Sequence, residues 1–191
     1  GEQVHLALGL MHALGQGVPR NDTEAANWFR KAAELGNADA QLLMAWVYAE
    51  GKGVRKDDAK AARWCQKAAE QNNREAQFLL GLMHLKGQGI SRSPALAAKW
   101  LRKAADQEHS SAQLLLGLMH LEGHGVRRNV NEALTLLRAA ADKSNPHAQC
   151  ILGDIYHSGK MVARDFAAAL KWYGAAARQG HPNAQTLLGR M

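Results

Sequence analysis

The chain has 191 residues, of which 47% are apolar but only 6% aromatic, and it carries a formal net charge of +7. That length fits one domain or two small ones with ample material for a core, and the abundance of Ala and Leu over β-branched residues argues against strand-rich folds. Acidic and basic residues are interspersed with no block of five or more basic residues, which disfavours nucleic acid as a partner despite the charge.

The first predicted element begins near Val4, where apolar residues recur at helical spacing until Gly15-x-Gly17. Glycine ends such a helix and allows positive φ in the turn. Asn21 then stands where a short polar side chain caps a second helix, which runs to about Glu34. The whole pattern returns in steps of 36 residues, with Gly-x-Gly at Gly51/Gly53, Gly87/Gly89 and Gly123/Gly125. Repeats therefore span 4–39, 40–75, 76–111, 112–147 and 148–183, with a partial sixth at 184–191, all in a single repeat domain 1–191. The equivalent N-caps are Asp57, Ser93, Asn129 and Asp165, and Glu24 and Glu132 are placed to complete capping boxes. Pro94 follows Ser93, where a helix tolerates proline.

Numbered within a repeat, position 6 is Gly9, Ala45, Gly81, Gly117 and Gly153, and position 22 is always Ala, so small residues are expected to let the two helices approach closely. Position 25 is Trp28, Trp64, Trp100 and Trp172, with Leu136 the exception. One such hairpin cannot bury its apolar surface alone, and stacking neighbours predicts an all-α, right-handed superhelical solenoid of helix–turn–helix repeats.

The pattern A-Q-x-x-L-G-x-M-H/Y-x-x-G-x-G-V, followed by A-x-x-W and K-A-A, strongly resembles the Sel-one-like repeat (SLR) family, relatives of tetratricopeptide repeats. Ala112 to Val126 and Lys99 to Ala105 are close matches. Met161 departs from the pattern at the second turn glycine, and His12, His84 and His120 stand where the family usually has tyrosine. The resemblance implies a protein-binding adaptor without catalytic residues, in bacteria often at the cell envelope or in host interaction. The chain opens almost on a repeat boundary and stops within a helical pattern, so it reads as a fragment. It has no run of eighteen apolar residues and no signal-peptide-like start, and its compartment is left open.

On each first helix, positions 1, 5, 8 and 9 define the packed arc, leaving positions 3, 7 and 10 opposite, on the expected concave side. In the first four repeats these are Leu6, Leu10, Ala13; Leu42, Trp46, Ala49; Phe78, Leu82, Leu85; and Leu114, Leu118, Leu121. All are apolar where a solvated groove would be polar. This strip is the predicted site for a peptide or amphipathic helix of another protein, with Trp46 and Phe78 as anchors. A tightly curled solenoid, a flanking segment or a second copy in a homodimer would satisfy the same pattern.

Two further sets carry chemistry. Arg20, Lys56, Arg92, Arg128 and Arg164 precede the N-caps and form a secondary basic ridge, suited to an anionic surface or nucleic acid in an alternative reading. Cys150, Asp154 and His157 share one helix face in the fifth repeat and define the enzyme alternative, a metal or thiol site. Their spacing puts Cys150 and His157 ~10 Å apart along the axis, which favours a polar end to the strip. His12, His84 and His120 occupy one structural position and are expected as packed or hydrogen-bonded rings. Arg30, Arg102, Lys31, Lys67 and Lys103 look like outer-face charge. Cys65 and Cys150 lie too far apart in the repeats for a disulfide, and both are expected as free thiols. No cofactor or metal is expected.

Overall fold

A computed structural model describes residues 1–189; positions 190 and 191 of the partial sixth repeat lie outside the described residues. Eleven helices occur among them: α1 (Glu2–Leu14), α2 (Asp22–Glu34), α3 (Ala38–Glu50), α4 (Asp58–Glu70), α5 (Arg74–Lys86), α6 (Pro94–Asp106), α7 (Ser110–Glu122), α8 (Val130–Asp142), α9 (Pro146–Ser158), α10 (Phe166–Arg178) and α11 (Pro182–Leu188). Two compact units are present, residues 1–100 and 101–191, with α6 crossing the boundary. In the first, α2 packs on both α1 and α3, and α4 on both α3 and α5. In the second, α8 packs on α7 and α9, and α10 on α9 and α11. Within each unit, α2, α4, α8 and α10 thus each cover their own partner and the next repeat's first helix, the nearest-neighbour packing that a repeat array requires.

The turns follow from the glycines. Gly15, Gly51, Gly87, Gly123 and Gly159 end their helices in the left-handed region, and the Cβ of the basic residue five positions on, such as Arg20 or Lys56, packs beside each. The second glycine has a different role. A Cβ on Gly53 would sit 2.1 Å from Asp22 O, and one on Gly89 would sit 1.9 Å from Asp58 O, so each turn lies against the opening of the previous repeat's second helix. Met161, at the equivalent place in the last full repeat, does not have a positive φ.

All five predicted N-caps accept a bond from a helix-opening amide: Asn21 from Thr23 and Glu24, Asp57 from Lys60, Ser93 from Leu96, Asn129 from Glu132, and Asp165 from Ala168. The capping boxes are not closed. The amides of Asn21 and Asn129 donate to the carbonyls of His12 and His120 at 2.9 Å, as every second-helix cap does to its repeat's position 9. Those donors are therefore already used, and Glu132 pairs instead with Arg102 at 2.7 Å. The first helices have caps of their own, which sequence reading missed: Asn37, Asn73, His109, Asn145 and His181.

A glutamine column ties successive elements. The side-chain amides of Gln41, Gln77, Gln113, Gln149 and Gln185 donate to the carbonyls of Ala33, Ala69, Ala105, Ala141 and Ala177. Each adds a second bond to a carbonyl in the last turn of the preceding helix, which already accepts from the amide three residues on, as Ala33 O does from Gly36. Small residues at position 6 do permit close packing, but the large partner is at position 26. A Cβ on Gly9 would lie 2.5 Å from Phe29, on Gly153 2.5 Å from Tyr173, and on Gly117 3.0 Å from Leu137. Where position 6 is Ala45, position 26 is the smaller Cys65, and both lie in one buried cluster.

Candidate functional site

In the first unit the strip lies on α1, α3 and α5. Leu10 and Trp46 are 40% and 47% exposed, while Leu6, Leu42, Phe78, Leu82 and Leu85 are half-buried. In the second unit Leu114, Leu118 and Leu121 are half-buried on α7. None of the ten is fully buried. From the second repeat on, the complementary arc is packed as expected: Met44, Leu80, Leu116 and Leu152 are buried, as are Ala40, Ala76, Ala112 and Ala148, whereas Val4 and Met11 at the equivalent places of the first repeat are exposed.

Trp46 is the focus of the first unit. Between α1 and α3 lies a cleft of about 380 Å³ that Trp46 lines with Leu10, Ala13, Leu14, Phe29, Leu43 and Val47. Between α3 and α5 lies a second, of about 230 Å³, that Trp46 lines with Ala49, Leu79, Leu82 and Met83. The indole forms a wall of both. Sequence reasoning found Leu10, Trp46 and Leu82, but missed Leu14, Leu43, Val47 and Leu79. Those residues belong to seams between successive first helices, which a helix projected in isolation does not show. Leu6, Leu42, Phe78 and Leu85 line neither cleft.

The charged edge of these clefts is uneven. Lys52, beside Glu50 in the α1/α3 cleft, pairs with that carboxylate at 2.5 Å. Lys86 and Gln88 edge the α3/α5 cleft. Gln88 donates to Asp58, and Lys86 has no acidic partner among the described residues.

The five residues expected to form a basic ridge are largely engaged in their own turns. Arg20 pairs with Asp22 at 3.2 Å and Lys56 with Asp58 at 4.0 Å. Arg92 and Arg128 donate Nε to the carbonyls of Leu85 and Leu121 at 3.0 Å, and Arg164 reaches Ser158 O. These bonds answer exposed helix-end carbonyls with a cation. Arg127 and Arg128 also line an open cleft of about 530 Å³ with His120, Asn129 and Asn131. The histidines serve the same turns: His84 and His120 bond through Nδ1 to the carbonyls of Ser91 and Arg127 at 3.3 Å.

The supposed outer-face charges are partly structural. Lys31 lies 4.0 Å over the Trp28 ring and Lys67 4.5 Å over Trp64, contacts worth about 0.5–1 kcal/mol at exposed sites. Arg102 bridges Glu132 and His120 Nε2. The long stems favour these contacts because a half-buried ring or carboxylate lies within their reach.

Among the described residues no hydrogen bond joins Cys150, Asp154 and His157 to one another. Cys150 is buried, and desolvation, reinforced by the Asp154 charge, pushes its thiol up. A protonated thiol is a poor nucleophile. Asp154 accepts from Tyr173 Oη at 2.6 Å, and His157 packs its ring edge against Phe166 with centroids 5.6 Å apart. Cys65 and Cys150 are both free thiols. Among the described residues no group of three or more His, Cys, Asp or Glu stands where it could hold a metal, and no helix is long and apolar enough to cross a membrane.

Such an array of paired helices, with exposed apolar residues along its first helices, is an all-α repeat solenoid. The Sel1 repeat model matches five times, at residues 3–37, 38–73, 74–109, 110–145 and 146–181, and the chain belongs to that family. A protective antigen from uropathogenic Escherichia coli strains, described as displaying an SLR fold, is 36% identical over the whole chain with a TM-score of 0.95. The chain spans 41% of that antigen's length. A Sel1 repeat protein from Oxalobacter formigenes is 35% identical, with a TM-score of 0.89, over the whole chain and 78% of its own. Helicobacter pylori cysteine rich protein B, at 22% identity and a TM-score of 0.55, shares the fold over 70% of this chain and 96% of its own. No curated protein matches. Sel1 repeats are generally non-enzymatic scaffolds for protein–protein interaction.

Proposed function

We propose that the chain is a scaffold that binds an apolar segment of a partner protein across Trp46, with the clefts on either side receiving the partner's side chains. The carrying observation is the position of that indole, 47% exposed as a common wall of two apolar clefts. A large ring held by its neighbours, with apolar surface still in water, has the character of an interface anchor, because its rigid face loses little entropy on contact. The smaller cleft lies below the range of about 300–1,000 Å³ usual for small-molecule pockets. That size favours a protein side chain over a metabolite. Leu114, Leu118 and Leu121 extend the apolar character on the second unit's own surface.

The test is to compare proteins captured from source-cell lysate by the wild type and by a Trp46→Glu, Phe78→Glu, Leu82→Glu variant, after circular dichroism shows both folded. Loss of a captured protein with the variant supports the reading. An unchanged set of captured proteins rejects it. Sedimentation of both proteins separates out self-association: a wild-type dimer that the variant dissociates would make the partner a second copy.

A second reading rests on Arg127 and Arg128. Where Arg20 and Lys56 face Asp22 and Asp58, the fourth repeat has Val130, and the open cleft there is an arrangement for an acidic partner. Binding at that cleft would weaken steeply with salt, whereas binding at Trp46, with a single cation at its edge, would weaken only slightly.

A further inference from the structure

We infer that the segment bound at Trp46 is acidic as well as apolar, placing one large side chain in the α3/α5 cleft and a carboxylate against Lys86 Nζ. This rests on the reading of Trp46 as the anchor and adds the chemistry of its partner. The α3/α5 cleft is walled by Ala45, Trp46, Ala49, Leu79, Leu82 and Met83, and the cation at its edge is Lys86. Three other lysines of the first unit pair within the chain: Lys52, in the α1/α3 cleft, with Glu50, Lys56 with Asp58 and Lys60 with Asp57. Gln88 already donates to Asp58. Lys86 therefore supplies an uncompensated charge beside the cleft, in a chain whose net charge is +7.

An apolar group entering the cleft displaces water around Lys86 and lowers the local dielectric, which strengthens attraction to a carboxylate and makes a cation there unfavourable. Selection should consequently act on the charge of the residue beside the anchor. A basic residue beside Lys86 would meet like charge, the kind of repulsion that sets specificity at interfaces. The α1/α3 cleft, whose Lys52 is paired with Glu50, takes the second apolar side chain without a charge requirement.

The experiment is selection of binders from a random peptide library on the full chain, followed by affinity measurements with Trp46→Glu and Lys86→Glu variants. Both substitutions are at exposed positions, and thermal melts check that each variant stays folded. The expected peptides pair a large apolar residue with Asp or Glu, bind at least about tenfold more weakly to either variant, and regain affinity for Lys86→Glu when the acid is changed to Lys. Peptides that need Trp46 but show no acidic preference and ignore Lys86→Glu would overturn the acidic assignment while leaving the anchor in place. Peptides indifferent to both substitutions, or no selected peptides, would overturn both.

Discussion

Lys143 Nζ donates to Glu108 Oε2 at 2.9 Å, and buried Gln113 Oε1 has no partner among the described residues. In neighbouring repeats the residue equivalent to Lys143 is a glutamine. Gln71 donates to Gln41 Oε1, and Gln179 donates to Gln149 Oε1, both at 2.8 Å. Lys143→Gln should therefore restore a bond to Gln113. The gain is about 1 kcal/mol, less a few tenths for the exposed ion pair lost. A raised denaturant midpoint would bear this out, and a lowered one would contradict it.

Two glycines at equivalent positions should respond differently to alanine. Gly17 has φ +73 and only Met11 Cε nearby at 3.5 Å, so Gly17→Ala incurs the left-handed cost of roughly 1–2 kcal/mol. Gly53 has nearly the same φ, but its added Cβ would meet Asp22 O at 2.1 Å. Gly53→Ala should cost about 1–3 kcal/mol more, because the second repeat's turn must move off the opening of α2. Equal losses in the two variants' melting curves would show that this approach does not hold the repeats together.

Tyr173 explains why the apolar strip stops. Its ring fills the space beside Gly153, its hydroxyl reaches Asp154, and it is 1% exposed. Extending the strip with Asp154→Leu should destabilise by about 1–3 kcal/mol, since the hydroxyl is left without an acceptor. Adding Tyr173→Phe should recover most of that loss. Additive losses in the double-mutant cycle would show that the two side chains are independent.

Burial pushes the Cys65 thiol up from 9.0 to about 12, while its Sγ faces Ala76 O at 3.3 Å. A folded-state value above the unfolded one means that this contribution is complete below about pH 9 and is lost as pH rises towards 12. Chemical denaturation from pH 8 to 10.5 should show stability falling more steeply in the wild type than in Cys65→Ala. Parallel curves would remove the thiol from the account. Native Cys65 should also react with thiol reagents far more slowly than unfolded chain.

The repeat period, turns and second-helix caps were legible because each depends on local chemistry: glycine for positive φ, and Asn, Asp or Ser for the opening amides. From the second repeat on the packed arc was legible because α-helical geometry is regular; in the first repeat Val4 and Met11 are exposed. Less visible was anything set by a partner helix. Gln41 and its equivalents stood in the repeat pattern, but their bonds to Ala33 and its equivalents depend on how one helix follows another. Glu24 and Glu132 were misread because the amides they were expected to cap already donate across the hairpin. Asp154 looked reactive in sequence, and its commitment to Tyr173 depends on position 26 filling the gap left by a glycine. Leu14, Leu43, Val47 and Leu79 were missed because two neighbouring helices form each cleft.

The most direct test is site-specific photo-crosslinking in source-cell lysate, with a photo-reactive phenylalanine analogue replacing Trp46 on α3 in one protein and exposed Arg63 on α4 in another. A partner that engages the two clefts should crosslink at position 46 and not at position 63. Crosslinking at position 63 with none at position 46 would place the interface on the second helices and contradict the assignment of Trp46 as its anchor.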